Sequence, residues 1–307
     1  MTTMVEELQS TVEAIASNVG PAVVRIGRGG GRGAGVVIGE GRVLTNAHNL
    51  RGEETTVTFT DGRSAIGKLV GIDADGDLAV LAVDTARAPA VTWDAAAAPR
   101  AGTPVFAVAN PAGRGLRVTF GLVSAVGQAF TGPRGRRIAG SIEHTAPLNR
   151  GSSGGPVVDA SGALVGINTN RVGDGFYLAL PADADLRARV DALANGESPV
   201  RPYLGVALAP APAARRLRAA VGLPERDGLL VRGVQEGSPA AGAGLRVGDL
   251  LVEAGGRATA GQDDLFEALD AVTAGATLSL RVVRGVEELD VVVSFAETTG
   301  HDHPSSP

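Results

Sequence analysis

The apolar residues Val5, Leu8, Val12, Ile15 and Val19 recur at spacings of three and four, which places them on one face of a helix. Thr3 followed by Glu6 has the form of a capping box, so a helix is predicted over residues 4–18, and Gly20-Pro21 ends it. From there the apolar pattern shortens into β runs separated by glycine-rich turns. One set is predicted at 22–26, 35–38, 43–45, 56–59, 65–72 and 78–83. After Ala101-Gly102 a second set follows at 105–109, 118–126, 141–145, 157–158, 164–168 and 176–180. Two sets of about six strands predict two antiparallel barrels or sandwiches. Leu186, Val190 and Leu193 then share one face of a helix over 183–194, and Asn195-Gly196-Glu197-Ser198-Pro199 reads as a linker. Beyond it, strands are predicted at 229–231, 277–283 and 289–295, with a helix at 263–271.

Composition narrows the class. A chain of 307 residues with 44% hydrophobic and 20% charged residues can bury a real core, and should hold two or three domains at ~100–200 residues each. Its 44 glycines are about twice the average usage of ~7%, which favours turn-rich β architecture over a helical bundle. A net charge of -5 argues against general nucleic-acid affinity. With no cysteine, neither a disulfide framework nor a thiolate metal site can form. The first residues lack the basic and apolar regions of a secretory signal, and no apolar run approaches the ~20 residues that span a bilayer. As written the chain therefore reads as cytoplasmic, and as periplasmic or extracytoplasmic if a leading segment has been lost.

The candidate chemistry centres on Asn149-Arg150-Gly151-Ser152-Ser153-Gly154-Gly155-Pro156. A serine hydroxyl needs a base to take its proton and donors to hold the oxyanion that forms. Gly151, Gly154 and Gly155 permit a tight turn that exposes Ser153 and brings backbone N–H groups near a reacting carbonyl. An ordinary Gly/Ser loop is the alternative. His48, just past an apolar strand in Thr45-Asn46-Ala47-His48, is a base suited to proton transfer near neutral pH. Of the other histidines, His144 falls in a predicted strand, and His301 and His303 in a polar tail read as solvated rather than metal-binding. Asp73-Ala74-Asp75-Gly76-Asp77 offers a carboxylate to orient the imidazole. Asp77 is chosen because it directly precedes the apolar strand Leu78-Ala79-Val80-Leu81. A calcium loop is a poor fit, since its glycine is at the fourth position and no glutamate closes it. The segment Arg28-Gly29-Gly30-Gly31-Arg32-Gly33 fits no dinucleotide motif and reads as a surface loop.

His48 in T-N-A-H, Asp77 in D-L-A-V-L and Ser153 in G-S-S-G-G-P resemble the catalytic triad of the trypsin-like HtrA/DegP serine proteases, in the same order. Similar flanking sequence lies at residues 17–26 (S-N-V-G-P-A-V-V-R-I), at Asn110-Pro111 with Gly113, at residues 121–127 (G-L-V-S-A-V-G) and at residues 162–169 (G-A-L-V-G-I-N-T). The resemblance covers about residues 12–195. It implies a mainly β fold of two six-stranded barrels with the site in the cleft between them. It also implies an oxyanion hole from the N–H groups of Gly151 and Ser153, and no cofactor or metal. Residues 112–117, 128–140, 147–151 and 170–175 would be regulatory loops, with Arg134, Arg136 and Arg137 as sensing contacts or as a solvated basic loop. Three positions depart from the family pattern: Asn49 for an apolar residue, Ser152 for asparagine and Thr145 for aspartate. The absence of acidic residues over 145–149 favours cleavage beside small or medium apolar side chains.

Gly237-Ser238-Pro239-Ala240-Ala241, with Gly244-Leu245, Gly248-Asp249 and Leu250-Leu251, is similar to the core signature of PDZ domains. In that resemblance Tyr203-Leu204-Gly205-Val206 is the loop whose backbone receives a C-terminal carboxylate, while Leu204 and Val206 also suit a core. The expected organisation is an N-terminal helix (1–20), a protease domain (21–194), a linker (195–202), an α+β PDZ domain (203–296) and a disordered tail (297–307). The function implied is an ATP-independent endopeptidase of protein quality control that cleaves unfolded proteins, with hydrophobic C-terminal peptides bound at the PDZ domain. A PDZ-bearing chaperone or scaffold with a held-inactive triad is the alternative. The family also implies a homotrimer joined through N-terminal aromatics, yet residues 1–20 contain none.

Overall fold

The computed structural model describes residues 3–29, 32–93, 98–111, 115–133, 135–199, 202–272 and 275–295. It divides into two compact units, Met1–Pro199 and Val200–Pro307. Arg134 and the tail 297–307, with His301 and His303, lie outside the described residues.

In the first unit, β1 (Val23–Ile26), β2 (Gly33–Gly39), β3 (Arg42–Thr45), β4 (Glu54–Phe59), β5 (Ser64–Asp73) and β6 (Leu78–Ala82) form a closed barrel in the order β1-β2-β3-β6-β5-β4. Closure comes from β1, where Val24 pairs with Gly35 on one side and Phe59 on the other. The second barrel has β7 (Pro104–Ala109), β8 (Arg117–Thr131), β9 (Arg137–His144), β10 (Pro156–Val158), β11 (Leu164–Val172) and β12 (Phe176–Pro181) in the order β10-β11-β12-β9-β8-β7. The fold is thus mainly β, with barrels rather than sandwiches.

All twelve predicted strands are present, but two predicted loops are largely strand. The region 128–140 is mostly a hairpin of β8 and β9, in which Phe130 pairs with Ile138 and Thr131 with Arg137. Likewise β11 continues to Val172, leaving a short turn before β12 at Phe176. Cross-strand pairing supplied what the exposed, polar sequence did not advertise.

Helix α1 (Met4–Asn18) carries the capping box between Thr3 and Glu6. Its C-terminal half contributes Ile15, followed by Val19, to the core that both barrels share, with Leu8 and Val12 packed at the margin. Burying Ile15 and Val19 stabilises this arrangement by ~1.5–3 kcal/mol each. Met4 and Val5 at the other end stay exposed. Helix α2 (Ala184–Ala194), N-capped by Asp183, buries Leu186, Val190 and Leu193 as its pattern predicts.

The second unit is an α+β domain. Strands β13 (Val206–Ala209), β14 (Leu229–Val234), β15 (Leu250–Ala254), β17 (Thr277–Arg284) and β18 (Glu287–Ser294) form its sheet in that order, with β16 (Arg257–Ala258) paired to β15. Helices α3 (Ala211–Ala220), α4 (Pro239–Gly242) and α5 (Gln262–Asp270) complete it. Helices α3 and α4 and strands β13, β15 and β16 lie outside the predicted elements; in α3, Leu217 is the one large apolar side chain, so the segment carries little hydrophobic signal. Asp249 of the Gly-Asp motif is structural: buried, it accepts from Arg284 Nε and Nη2, each at 2.8 Å.

Candidate active site

His48 sits on a single 3-10 turn, Ala47–Asn49, that follows directly on β3. The turn is tied to the Asp77 loop by Asn46, whose Nδ2 donates to the Asp77 carbonyl at 2.9 Å. The His48 N–H donates to Asp77 Oδ1 at 3.1 Å, and its Nδ1 lies 2.9 Å from both carboxylate oxygens. Carboxylate oxygens accept, so the Nδ1 hydrogen faces Asp77 and Nε2 keeps its lone pair.

Asp77 is 1% exposed and has a left-handed backbone, φ +56°. Aspartate tolerates that conformation better than most residues, because its short polar side chain bonds locally. A third donor reaches it from the second barrel: Thr169 Oγ1 lies 2.7 Å from Oδ2. Thr169 closes the segment G-A-L-V-G-I-N-T, where nothing local marks its role, since only the folded barrels bring it to Asp77. Two arginines brace the same loop. Arg189 of α2 donates to Asp73 Oδ2 at 2.8 Å, and Arg136 of the β8–β9 turn pairs with Asp75 at 3.1 Å. Arg136 is buried, so it is not part of a solvated loop. Arg137 is exposed at the start of β9.

Ser153 lies in a turn between Gly151 (φ +87°) and Gly154 (φ +89°). A Cβ on Gly154 would stand 2.2 Å from the Ala34 carbonyl oxygen, so backbone conformation and space both demand glycine there. The turn is pinned to β11 by Gly154 N–H to the Asn168 carbonyl at 2.7 Å and Asn168 N–H to the Gly155 carbonyl at 2.9 Å. It is pinned to the first barrel by Ala34 N–H to the Ser153 carbonyl at 2.8 Å.

The Ser153 hydroxyl donates to the Thr169 carbonyl at 2.9 Å. Among the described residues no hydrogen bond joins it to His48. The N–H groups of Gly151 and Ser153 likewise make no backbone hydrogen bond among the described residues, so both are available as donors. His48, Asp77, Gly151 and Ser153 line one cleft of about 590 Å³, together with Leu148, Thr169, Asn170, Arg171 and Tyr177. Among the described residues Asp77 is its only carboxylate, and His48 and Thr169 already engage it.

Behind the cleft, His144 is fully buried against Tyr177, ring centroids 5.8 Å apart, with Nε2 2.9 Å from Asn168 Oδ1. Burial holds its pKa below the ordinary histidine value, opposed by the Asn168 contact. The neutral form is therefore favoured in the folded state, and its Nδ1 has no partner. This contribution to stability is complete above the unfolded pKa of about 6.5, and is lost as pH falls from there through the lower folded value. Thermal melts of wild type are expected to drop across that window, and His144→Gln to flatten the drop. Parallel slopes in the two proteins would rule this out.

In the second unit, Leu204 is a core side chain whose carbonyl accepts from Ala240 N–H at 3.0 Å. Gly205 has φ +82°, and a Cβ there would meet the Ser238 Cβ at 2.2 Å. Its carbonyl accepts from Gln235 N–H at 2.9 Å, and Tyr203 Oη donates to Gln235 Oε1 at 2.9 Å. Val206 opens β13, which pairs only with β14 among the described residues. It is therefore an edge strand of the sheet among the described residues.

Residues 33–167 match the family model of the trypsin-like peptidase domain, and residues 202–295 that of the PDZ domain. The putative serine protease HhoA of Synechocystis is 32% identical, over 90% of this chain and 73% of its own length. HhoB of the same organism is 34% identical over 83% of this chain, and the DegP-like probable periplasmic serine endoprotease of Halomonas elongata 33% over 86%. This chain spans only 64% and 56% of those two relatives. Among solved structures, the HtrA-type protease AlgW with a decapeptide superposes at TM-score 0.64 and 27% identity, covering 94% of this chain and 99% of that one. The serine endoprotease from Yersinia pestis gives 0.62 and 27%, covering 94% and 98%. Sequence relationship across most of the chain and the same two-domain fold agree, and the chain belongs to the HtrA family, a trypsin-like serine protease domain followed by a PDZ domain.

Proposed function

We propose that the chain is an ATP-independent serine endopeptidase that cleaves unfolded or misfolded proteins. The observation that carries this reading is the direct contact of His48 Nδ1 with both Asp77 oxygens at 2.9 Å, in the cleft that also holds Ser153. In the reaction the Ser153 hydroxyl turns from the Thr169 carbonyl to His48 Nε2, which takes its proton as Oγ attacks the scissile carbonyl. The N–H groups of Gly151 and Ser153 hold the oxyanion, each donor contributing ~2.7–4 kcal/mol at the transition state. His48 then passes the proton to the leaving amine. Water, deprotonated by the same imidazole, releases the acyl group from Ser153.

The apolar walls of Leu148 and Tyr177, and the absence of a free carboxylate among the described lining residues, favour small or medium apolar side chains beside the scissile bond. The PDZ domain takes hydrophobic C-termini as an added strand on β13, with the backbone of Tyr203, Leu204, Gly205 and Val206 as the carboxylate loop. The peptide-bound AlgW structure supports peptide binding by a relative. A homotrimer is the proposed assembly, with exposed Met4 and Val5 as the N-terminal contacts. As to location, the periplasmic name of the Halomonas relative supports an extracytoplasmic setting.

One observation favours a second reading, a chaperone or scaffold with a latent site: the Ser153 hydroxyl is bonded to Thr169 rather than to His48. Reduced, unfolded casein separates the two. Cleavage that rises with a peptide ending in a hydrophobic residue supports the protease. Suppressed aggregation without cleavage supports the scaffold.

Thr169→Val tests the positioning of Asp77. It removes the Oγ1 donor but keeps the carbonyl and the side-chain volume. The expected result is a kcat lower by on the order of 10-fold with KM held, since a hydrogen bond to a charged group contributes ~1.5–3 kcal/mol. Wild-type kcat in the variant would remove Thr169 from the machinery.

A further inference from the structure

We infer that Asn49 is a positioning residue for catalysis, holding the Ser153 carbonyl from the same turn that carries His48. The inference rests on the proteolytic reading above, with Ser153 as nucleophile and His48 as base. Asn49 is 1% exposed, and its Nδ2 donates to the Ser153 carbonyl at 2.9 Å and to Thr45 Oγ1 at 3.0 Å. Thr45 Oγ1 donates onward to the Ala34 carbonyl at 2.7 Å, and Ala34 N–H returns to the Ser153 carbonyl at 2.8 Å. A closed circuit thus links β2, the end of β3, the His48 turn and the nucleophile turn. Its members come from both barrels, and one is the residue next to the base.

The orientation of the amide follows from its surroundings. A flipped amide would set Oδ1 against the Ser153 carbonyl, acceptor against acceptor. In the orientation present, Oδ1 is buried and has no partner. An unpaired buried acceptor is a standing cost to stability, and an apolar side chain of similar size would avoid it. Room for the amide comes from Gly33, where a Cβ would lie 2.2 Å from the Asn49 amide atoms. A polar side chain that costs stability, fitted into space cleared by a glycine, is accounted for by what it holds. With the Ser153 carbonyl fixed at two points, the hydroxyl swings about χ1 alone between the Thr169 carbonyl and His48.

Two variants of the full chain test this. Asn49→Val removes the donor together with the unpaired oxygen. It is expected to lower kcat about tenfold with KM within about twofold, while the melting temperature holds or rises. A merely structural asparagine would lose activity and stability together. Asn49→Asp keeps the shape but sets a carboxylate against the Ser153 carbonyl, repelling it until the carboxyl gains a proton and can donate. The ratio of its kcat to that of wild type is expected to rise as pH falls from about 8 to about 5. This second variant decides the matter if the valine form does not fold. Wild-type kcat in Asn49→Val, or an Asn49→Asp ratio that is flat with pH, overturns the role. A wild-type chain that cleaves no substrate and takes up no serine-directed phosphonate at Ser153 overturns the proteolytic reading, and this role with it.

Discussion

Ser153→Ala is expected to abolish peptide-bond cleavage while leaving the fold intact. In a serine protease, removing the nucleophile costs ~10⁶-fold in kcat, because the acyl-enzyme forms on its hydroxyl. The structural cost is small. The Ser153 carbonyl keeps its bonds to Ala34 and Asn49, and only the hydroxyl bond to the Thr169 carbonyl is lost. A neutral hydrogen bond contributes ~0.5–1.5 kcal/mol, so the melting temperature should fall by no more than about 4–6 °C. Peptide affinity at the PDZ domain should be unchanged, since that domain has its own core of Leu229, Leu251, Leu280 and Val282. Casein digestion by the purified variant at wild-type rate would show that Ser153 is not the nucleophile.

Asp77→Asn carries the second largest expected effect, a fall in kcat of ~10⁴-fold, the scale seen when a triad aspartate becomes an amide. The buried carboxylate accepts from His48 N–H, His48 Nδ1 and Thr169 Oγ1. An asparagine has one accepting oxygen where three donors converge, and its NH₂ must face one of them. If it faces Nδ1, the imidazole hydrogen is driven to Nε2, and the base can no longer take the Ser153 proton. Asparagine is the informative substitution because it also tolerates the left-handed backbone at φ +56°, whereas alanine would add strain of ~1–3 kcal/mol. Loss of activity with unchanged near-UV dichroism places the defect in the charge and tautomer of the site. Activity within tenfold of wild type would remove Asp77 from its role.

What could be read from the chain alone was set by local physics. Capping chemistry and a three-four apolar spacing specify α1, and short apolar runs between glycine turns specify the twelve barrel strands. Motif chemistry pointed to His48, Asp77 and Ser153, each placed by its own strand end or turn. The extra length of the β8–β9 hairpin and of β11 was hidden, because exposed strand residues carry little apolar signal until a partner strand is present.

Other features had no local signal at all. Thr169 and Asp77 are 92 positions apart, and Asn49 and Ser153 are 104. Nothing in either segment announces the other. Arg136 looked like a solvated loop residue until the β8–β9 turn brought it to Asp75, where burial makes an ion pair the condition of its being there. The same holds for the hydroxyl of Ser153, whose bond to the Thr169 carbonyl depends on the nucleophile turn meeting strand β11. Secondary structure and catalytic residue types follow from neighbours in the chain, over distances a few residues long. The partners of a buried polar atom follow from barrel closure, which alone decides what replaces the water that each atom gave up.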